Sequence, residues 1–256
     1  MFKAHPDFEE PDDDAVLWRY KDIPRYLDLL LKQQLFFCRA DSFEDPFEGV
    51  FTKKARQAIY KSIRKQNLDD LSKQTILAAK QEVEQLAEKY NNMRTTVTVS
   101  SWHSNRNENY AMWNIYARGT YGVAIQTTFK RLKDAFSGTD QPVFIGKVNY
   151  YNDKDDSISS RNSLGPFLRK RAIYEYENEV RCCYVIDHNA QNRLCWHDQD
   201  NRNGVFIPAN LDKLIDRIYI SPYSPNWIRD IIAGINEKFN LQKEIVHSSV
   251  FHVDSF

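Results

Sequence analysis

The hydrophobic and polar positions change period several times along the chain, and each change marks an element. Val16-Leu17-Trp18-Arg19-Tyr20 has strand composition, and Asp22-Ile23-Pro24 supplies an N-cap and a first-turn proline for a helix to about Gln33. Leu35-Phe36-Phe37-Cys38-Arg39 predicts the next strand, and the acids and aromatics interleaved from Asp41 to Gly49 predict an ordered loop. Residues 51–90 contain no Gly or Pro and are rich in Lys, Gln, Glu, Ala and Leu, which predicts two helices broken near 67–70.

β-Branched residues return at 95–101, followed by a short helix over 108–116, a strand at 122–126, a helix near 129–136 and a strand over 143–151. Residues 150–165 are polar and loop-like, 167–171 are expected to be helical, and 174–187 are expected to form one long strand. In the last part, strands at 205–207 and 218–220 alternate with helices near 211–215 and 226–239. Trp227, Ile228, Ile231, Ile232, Ile235 and Phe239 give the latter helix its apolar stripe, and 245–250 is placed at a sheet edge. The expected architecture is α+β: a single mixed-sheet domain over 15–256 with a helical insert over 51–92, preceded by a flexible acidic arm over 1–14.

Composition narrows the function classes. A chain of 256 residues with 42% hydrophobic side chains can bury a core without disulfides or metal. With 35 basic and 35 acidic residues it has no global field for coating nucleic acid. No apolar run approaches the roughly 18 to 20 residues of a membrane span, and the acidic opening is unlike an export signal, so a cytoplasmic, membrane-free protein is expected. Cys38, Cys182, Cys183 and Cys195 form no CxxC pair, and adjacent Cys182 and Cys183 on a strand point to opposite faces, as packed thiols. Neither HExxH nor a zinc-finger spacing occurs, so no metal is indicated.

Three places carry candidate chemistry. In Tyr174-Glu175-Tyr176-Glu177-Asn178-Glu179-Val180-Arg181, strand alternation puts Glu175, Glu177, Glu179 and Arg181 on one face. There Arg181 can hold one glutamate while another meets substrate, or the group is an exposed set of ion pairs. Ser100-Ser101-Trp102-His103 ends a strand in hydrogen-bonding groups, with Trp113 and Tyr116 on one face of the following helix, able to stack on a planar ring or to serve as core. Arg19 faces away from Trp18 and Tyr20, where it can fork onto phosphate oxygens or pair with Asp41, Glu44, Asp45 or Glu48. His197-Asp198 and Asp200 suggest either a nuclease-like cluster or a polar loop, and the basic residues from Lys53 to Lys65 read as a solvated face.

The blocks LWRY (17–20), FFCRADSFEDPFEG (36–49), VSSWHSNRNENYAMWNIYARGTYGVAIQTT (99–128), YEYENEVR (174–181) and LIDRIYISPYSPNW (214–227) resemble the prokaryotic and phage family catalogued as domain of unknown function 2971. More loosely, an early arginine, a middle-strand serine and a late ExE resemble ADP-ribosyltransferases of the arginine-serine-glutamate type. That resemblance implies NAD as substrate, Arg19 on its phosphates, Ser100 or Thr98 bracing the site, and Glu177 and Glu179 catalytic. Trp102, His103, Trp113 and Tyr116 would contact the cofactor, and Asp45, Glu48 and Arg181 the substrate. It also implies a protein or nucleic-acid acceptor and a role in bacterial or phage conflict. The chain has Thr98-Val99-Ser100-Ser101 where that pattern has Ser-Thr-Ser. Two other readings are a noncatalytic ligand- or partner-binding domain, and a metal-dependent nuclease using Asp41, Asp45, Glu48, Glu177 and Glu179.

Overall fold

The computed structural model describes residues 1–251 except 7, 51, 67–71, 118–120, 153–163 and 187–202. Strand β1 (Val16–Asp22) leads directly into helix α1 (Ile23–Lys32). Asp22 accepts the Arg25 N–H at 2.8 Å, Pro24 lies in the first turn, and Gln33 at φ 50° ends the helix in the left-handed region. There follow β2 (Gln34–Arg39), α2 (Lys53–Gln66), α3 (Lys73–Met93), β3 (Val97–Ser104), α4 (Tyr110–Tyr116), β4 (Gly122–Thr128), α5 (Phe129–Ala135) and β5 (Phe144–Lys147). The remaining elements are β6 (Asn149–Tyr151), β7 (Arg169–Arg171), β8 (Glu179–Val185), β9 (Gly204–Pro208), α6 (Leu211–Leu214), β10 (Arg217–Ile220), α7 (Trp227–Lys238) and β11 (Glu244–His247).

The strands form a mixed sheet in the order β11-β10-β4-β1-β3-β2-β9, with β8 paired to β3 and β5, while β6 and β7 form a separate parallel pair. β3 has three partners. β8 follows it from Val97 to His103, so β1 and β2 must share the opposite edge. β2 takes Thr98 and Val99, and β1 takes His103 and Ser104. Between them, residues 100–102 have no strand neighbour on that edge, and the sheet forks.

Alternation sorts the core. Leu17, Trp102, Ile125, Cys182 and Ile218 point to the face covered by α1, α5, α6 and α7. On the other face Val97, Val99 and Cys183 pack with α2 and α3, and Trp18, Tyr20 and Ala124 pack with α4. Cys182 and Cys183 thus fall in different clusters, as the strand pattern predicts. No helix among the described residues is long and apolar enough to cross a membrane.

Three expectations are corrected. Residues 143–151 form two strands in different sheets, and 167–171 are a short 3-10 turn followed by β7. The expected long strand over 174–187 begins only at Glu179. Ala172–Glu177 is a 3-10 helix, and Asn178 follows it at φ 38°, a left-handed conformation that Asn tolerates. In this turn Lys170 and Arg171 lie 4.8 and 5.6 Å from the centre of the Tyr174 ring. The described residues of the N-terminal segment lie along the domain. Phe8 is buried against His5 and Phe144, and Phe2 bridges to Val143.

Gly49 has φ +70°, and a Cβ there would lie 2.6 Å from the buried Phe167 ring. Gly49→Ala is therefore expected to destabilise the fold by roughly 1–3 kcal/mol, read as a lowered urea midpoint at unchanged slope.

Candidate functional site

A cleft of about 540 Å³ opens at the fork. β1 supplies Arg19, Tyr20 and Lys21; β3 supplies Ser101, Trp102 and His103; Glu177 and Glu179 come from the start of β8 and the turn before it. Because β1 and β2 diverge here, side chains from four strands and from α1 and α4 converge on one space.

One end of the cleft is cationic. Arg19 donates to the Ser100 hydroxyl and, at 3.3 Å, to the Phe36 carbonyl, and its guanidinium lies 5.5 Å from the centre of the Trp102 ring. No carboxylate among the described residues lies within ion-pair distance of Arg19 or Lys21. The acids that might have claimed Arg19 are engaged elsewhere: Asp41 with Arg39, Asp45 with Arg171, Glu48 with Arg181. Burial pulls Arg19 down to about 10, so it stays a cation at neutral pH. Burial, and then the charges of Arg19 and Arg25, hold Lys21 well below its ordinary value. Arg19, a desolvated cation with no carboxylate of the described residues in ion-pair reach, can receive an anionic group such as a phosphate ester.

The other end is anionic and internally braced. Arg181, 1% exposed, donates to Glu179 Oε2 at 2.8 Å, to the Phe167 carbonyl at 2.7 Å, and to Glu48. Lys170 Nζ lies 2.5 Å from Glu177 Oε2, 3.4 Å from Glu48 and 3.6 Å from Glu179 Oε1. Three buried carboxylates thus face two cations. The surplus falls on Glu177: burial, and then the charge of Glu179, push its carboxyl up to about 7. Burial also opposes ionisation of Glu179, but Arg181 and Lys170 outweigh it and hold that carboxyl below its ordinary value. The two glutamates therefore differ in protonation at neutral pH, the division that acid–base work needs.

Aromatic and imidazole groups wall the space between the ends. His103 Nδ1 lies 2.6 Å from the Glu177 carbonyl, which can only accept, so Nδ1 carries the proton and Nε2 is an acceptor. Nε2 is buried and has no partner among the described residues. The Tyr116 ring stands at the cleft rim, its hydroxyl raised by burial and then by the charges of Glu177 and Glu179.

Of the residues singled out from the sequence, Arg19, Trp102, His103, Tyr116, Glu177 and Glu179 line this cleft, and Ser100 reaches it through its bond with Arg19. Trp113 does not. It is 1% exposed beneath Tyr20, and its indole N–H donates to Glu108 at 3.0 Å, because α4 turns that side inward against β1. Asp45, Glu48 and Arg181 lie outside the lining: Asp45 forks with Arg171 at 3.0 and 3.1 Å, while Glu48 and Arg181 brace Glu179 from behind. Asp41 and Asp45 engage different arginines, so the carboxylates named for a nuclease are not gathered as one ligand set. His197, Asp198 and Asp200 lie outside the described residues. Lys21 and Lys170 are the functional residues that sequence reading missed. The run Arg169-Lys170-Arg171 ahead of the acidic ExE is the signal, since β alternation turns Lys170 away from its neighbours.

No protein-family model and no curated protein sequence matches the chain, so its likeness to domain of unknown function 2971 stays a resemblance. Among solved structures, Thermus sp. 2.9 DarT in complex with carba-NAD+ aligns at 8% identity and TM-score 0.37, covering 93% of this chain and 96% of that one. The same protein in complex with NAD+ aligns at 10% identity and TM-score 0.37, covering 93% and 97%. In complex with ADP-ribosylated ssDNA it aligns at 8% and 0.35, covering 94% and 97%. Similarity at this level does not establish a shared fold.

Glu177 predicts a pH signature in stability. Between its ordinary value of 4.5 and about 7 the folded protein holds a proton that the unfolded chain has released, so Glu177 makes stability fall as pH rises through that window. Glu179, held low, acts in the opposite sense and only as pH falls below the ordinary carboxylate range. The stability difference between Glu177→Gln and wild type should therefore grow in favour of the variant from about pH 5 to 7 and then level off, in urea titrations at stepped pH.

Proposed function

We propose that the protein binds NAD in the fork cleft and cleaves its nicotinamide–ribose bond, passing ADP-ribose to an acceptor or to water. The observation that carries this reading is the pairing of opposite ends in one cleft: an acid-free Arg19 at one end and an ionised Glu179 at the other. NAD has complementary polarity, with an anionic diphosphate and a cationic nicotinamide ring.

In this reading Arg19, oriented by Ser100, holds the diphosphate, with Lys21 beside it, and Trp102 and Tyr116 flank the flat ring. The bond between ribose C1′ and the ring nitrogen breaks, its electron pair leaves with neutral nicotinamide, and positive charge develops on the ribose. Glu179 stabilises that charge electrostatically, as carboxylates do at other glycosidic centres. A nucleophile then attacks C1′ and gives up its proton, for which Glu177, poised at about 7, is a suitable acceptor.

Calorimetric titration with NAD and chromatographic detection of nicotinamide test the reading. Arg19→Ala should weaken binding by roughly 10- to 100-fold, the worth of one or two hydrogen bonds to a charged group. Glu179→Gln should keep binding within a few-fold and lose about 100-fold or more in nicotinamide release. Absence of NAD binding by folded wild-type protein, or undiminished release by Glu179→Gln, would overturn it.

A further inference from the structure

The two glutamates of Glu177-Asn178-Glu179 stand in one cleft, and among the described residues Lys170 is the cation in contact with both. It is 7% exposed on the short strand β7, and Nζ makes its shortest contact, 2.5 Å, with Glu177 Oε2. Glu179 lies 3.6 Å away and takes its closest cation, the Arg181 NH2, at 2.6 Å. Glu48 touches both cations, Lys170 at 3.4 Å and Arg181 directly, and so fixes the spacing between them.

We propose that Lys170 is a positioning residue that favours the ionised Glu177 carboxylate and so readies it to accept a proton, its ammonium seated on Glu177 and within reach of Glu179 and Glu48. A role for the glutamates in NAD cleavage rests on the preceding proposal, but the action of Lys170 on Glu177 does not. The other groups facing Glu177 do not supply a cation. On β3, His103 meets its backbone carbonyl and is held neutral by burial. On α4, the Tyr116 hydroxyl is raised by burial and by the same two glutamates. Tyr176, in the 3-10 turn, is likewise raised. From β6, the Tyr150 hydroxyl accepts the Glu179 N–H at 2.8 Å. Lys170 also lies 4.8 Å from the Tyr174 ring centre, a second contact that fixes its ammonium. Charge is therefore its contribution, and arginine should substitute where methionine should not.

The test follows side-chain carboxyl carbons by NMR in ¹³C-glutamate-labelled protein without ligand, with Glu177→Gln assigning the Glu177 signal. In Lys170→Met the Glu177 midpoint should rise by at least about one unit, and in Lys170→Arg it should stay within about half a unit of wild type. Circular dichroism checks folding, and Lys170→Gln replaces the methionine variant if that one does not fold. In the same proteins, the pH profile of nicotinamide release should shift with the Glu177 midpoint. An unmoved midpoint in a folded charge-removing variant would overturn the proposal. Wild-type protein that releases no nicotinamide would instead overturn the NAD reading, and the titration would still decide the role of Lys170.

Discussion

The edge of β3 is the constraint from which the site follows. A strand offers one row of hydrogen-bonding groups on each edge, and β8 takes one row in full. On the other edge two strands compete. β2 pairs at Thr98 and Val99, β1 at His103 and Ser104, and neither can occupy residues 100–102 without displacing the other. A sheet that forks must leave a gap, and polar side chains line this one where an unbroken sheet would be packed with apolar ones. Ser100 bonded to Arg19 fills part of the opening, which is why a hydroxyl and a guanidinium are accommodated in the middle of a sheet.

Charge at the site is arranged by withdrawal as much as by placement. The acidic loop from Asp41 to Glu48 could neutralise any nearby arginine, yet Asp41, Asp45 and Glu48 are engaged by Arg39, Arg171 and the Arg181–Lys170 pair, leaving Arg19 without an acid. Behind Glu179, three carboxylates share two cations in a space where full ionisation of all five is unfavourable. The excess is taken up at Glu177, whose carboxyl is pushed up to about 7, while Arg181 is held by a backbone carbonyl as well as by acids. Removing one partner of such a set leaves a buried charge uncompensated, so support and function cannot be varied independently there.

Arg19 without an acid in ion-pair reach and His103 Nε2 without a partner among the described residues each cost stability in the free protein. Both groups lie in the same cleft, where a bound ligand would meet them. A pocket whose polar groups are unsatisfied by the protein gains more from a complementary ligand than one already saturated.

The opening β1-α1-β2 unit with its capped α1, the two helices between β2 and β3 and the opposite faces of Cys182 and Cys183 were legible in the sequence, because periodicity and capping are local properties of adjacent residues. Arg19 could be set apart from Trp18 and Tyr20 for the same reason. The site itself was only half legible. Residue types at 19, 100–103 and 177–179 indicated chemistry, and Arg181 was legible as the holder of one glutamate, but a single strand pattern ran through Tyr174 to Asp187 where the strand begins only at Glu179. The left-handed Asn178, the burial of Trp113 under β1 and the approach of Lys170 to Glu177 depend on segments that meet only after the sheet has closed. Residue identity determined which groups could ionise; the fork in the sheet and the burial around it decided which of them carry charge and which of them face the cleft.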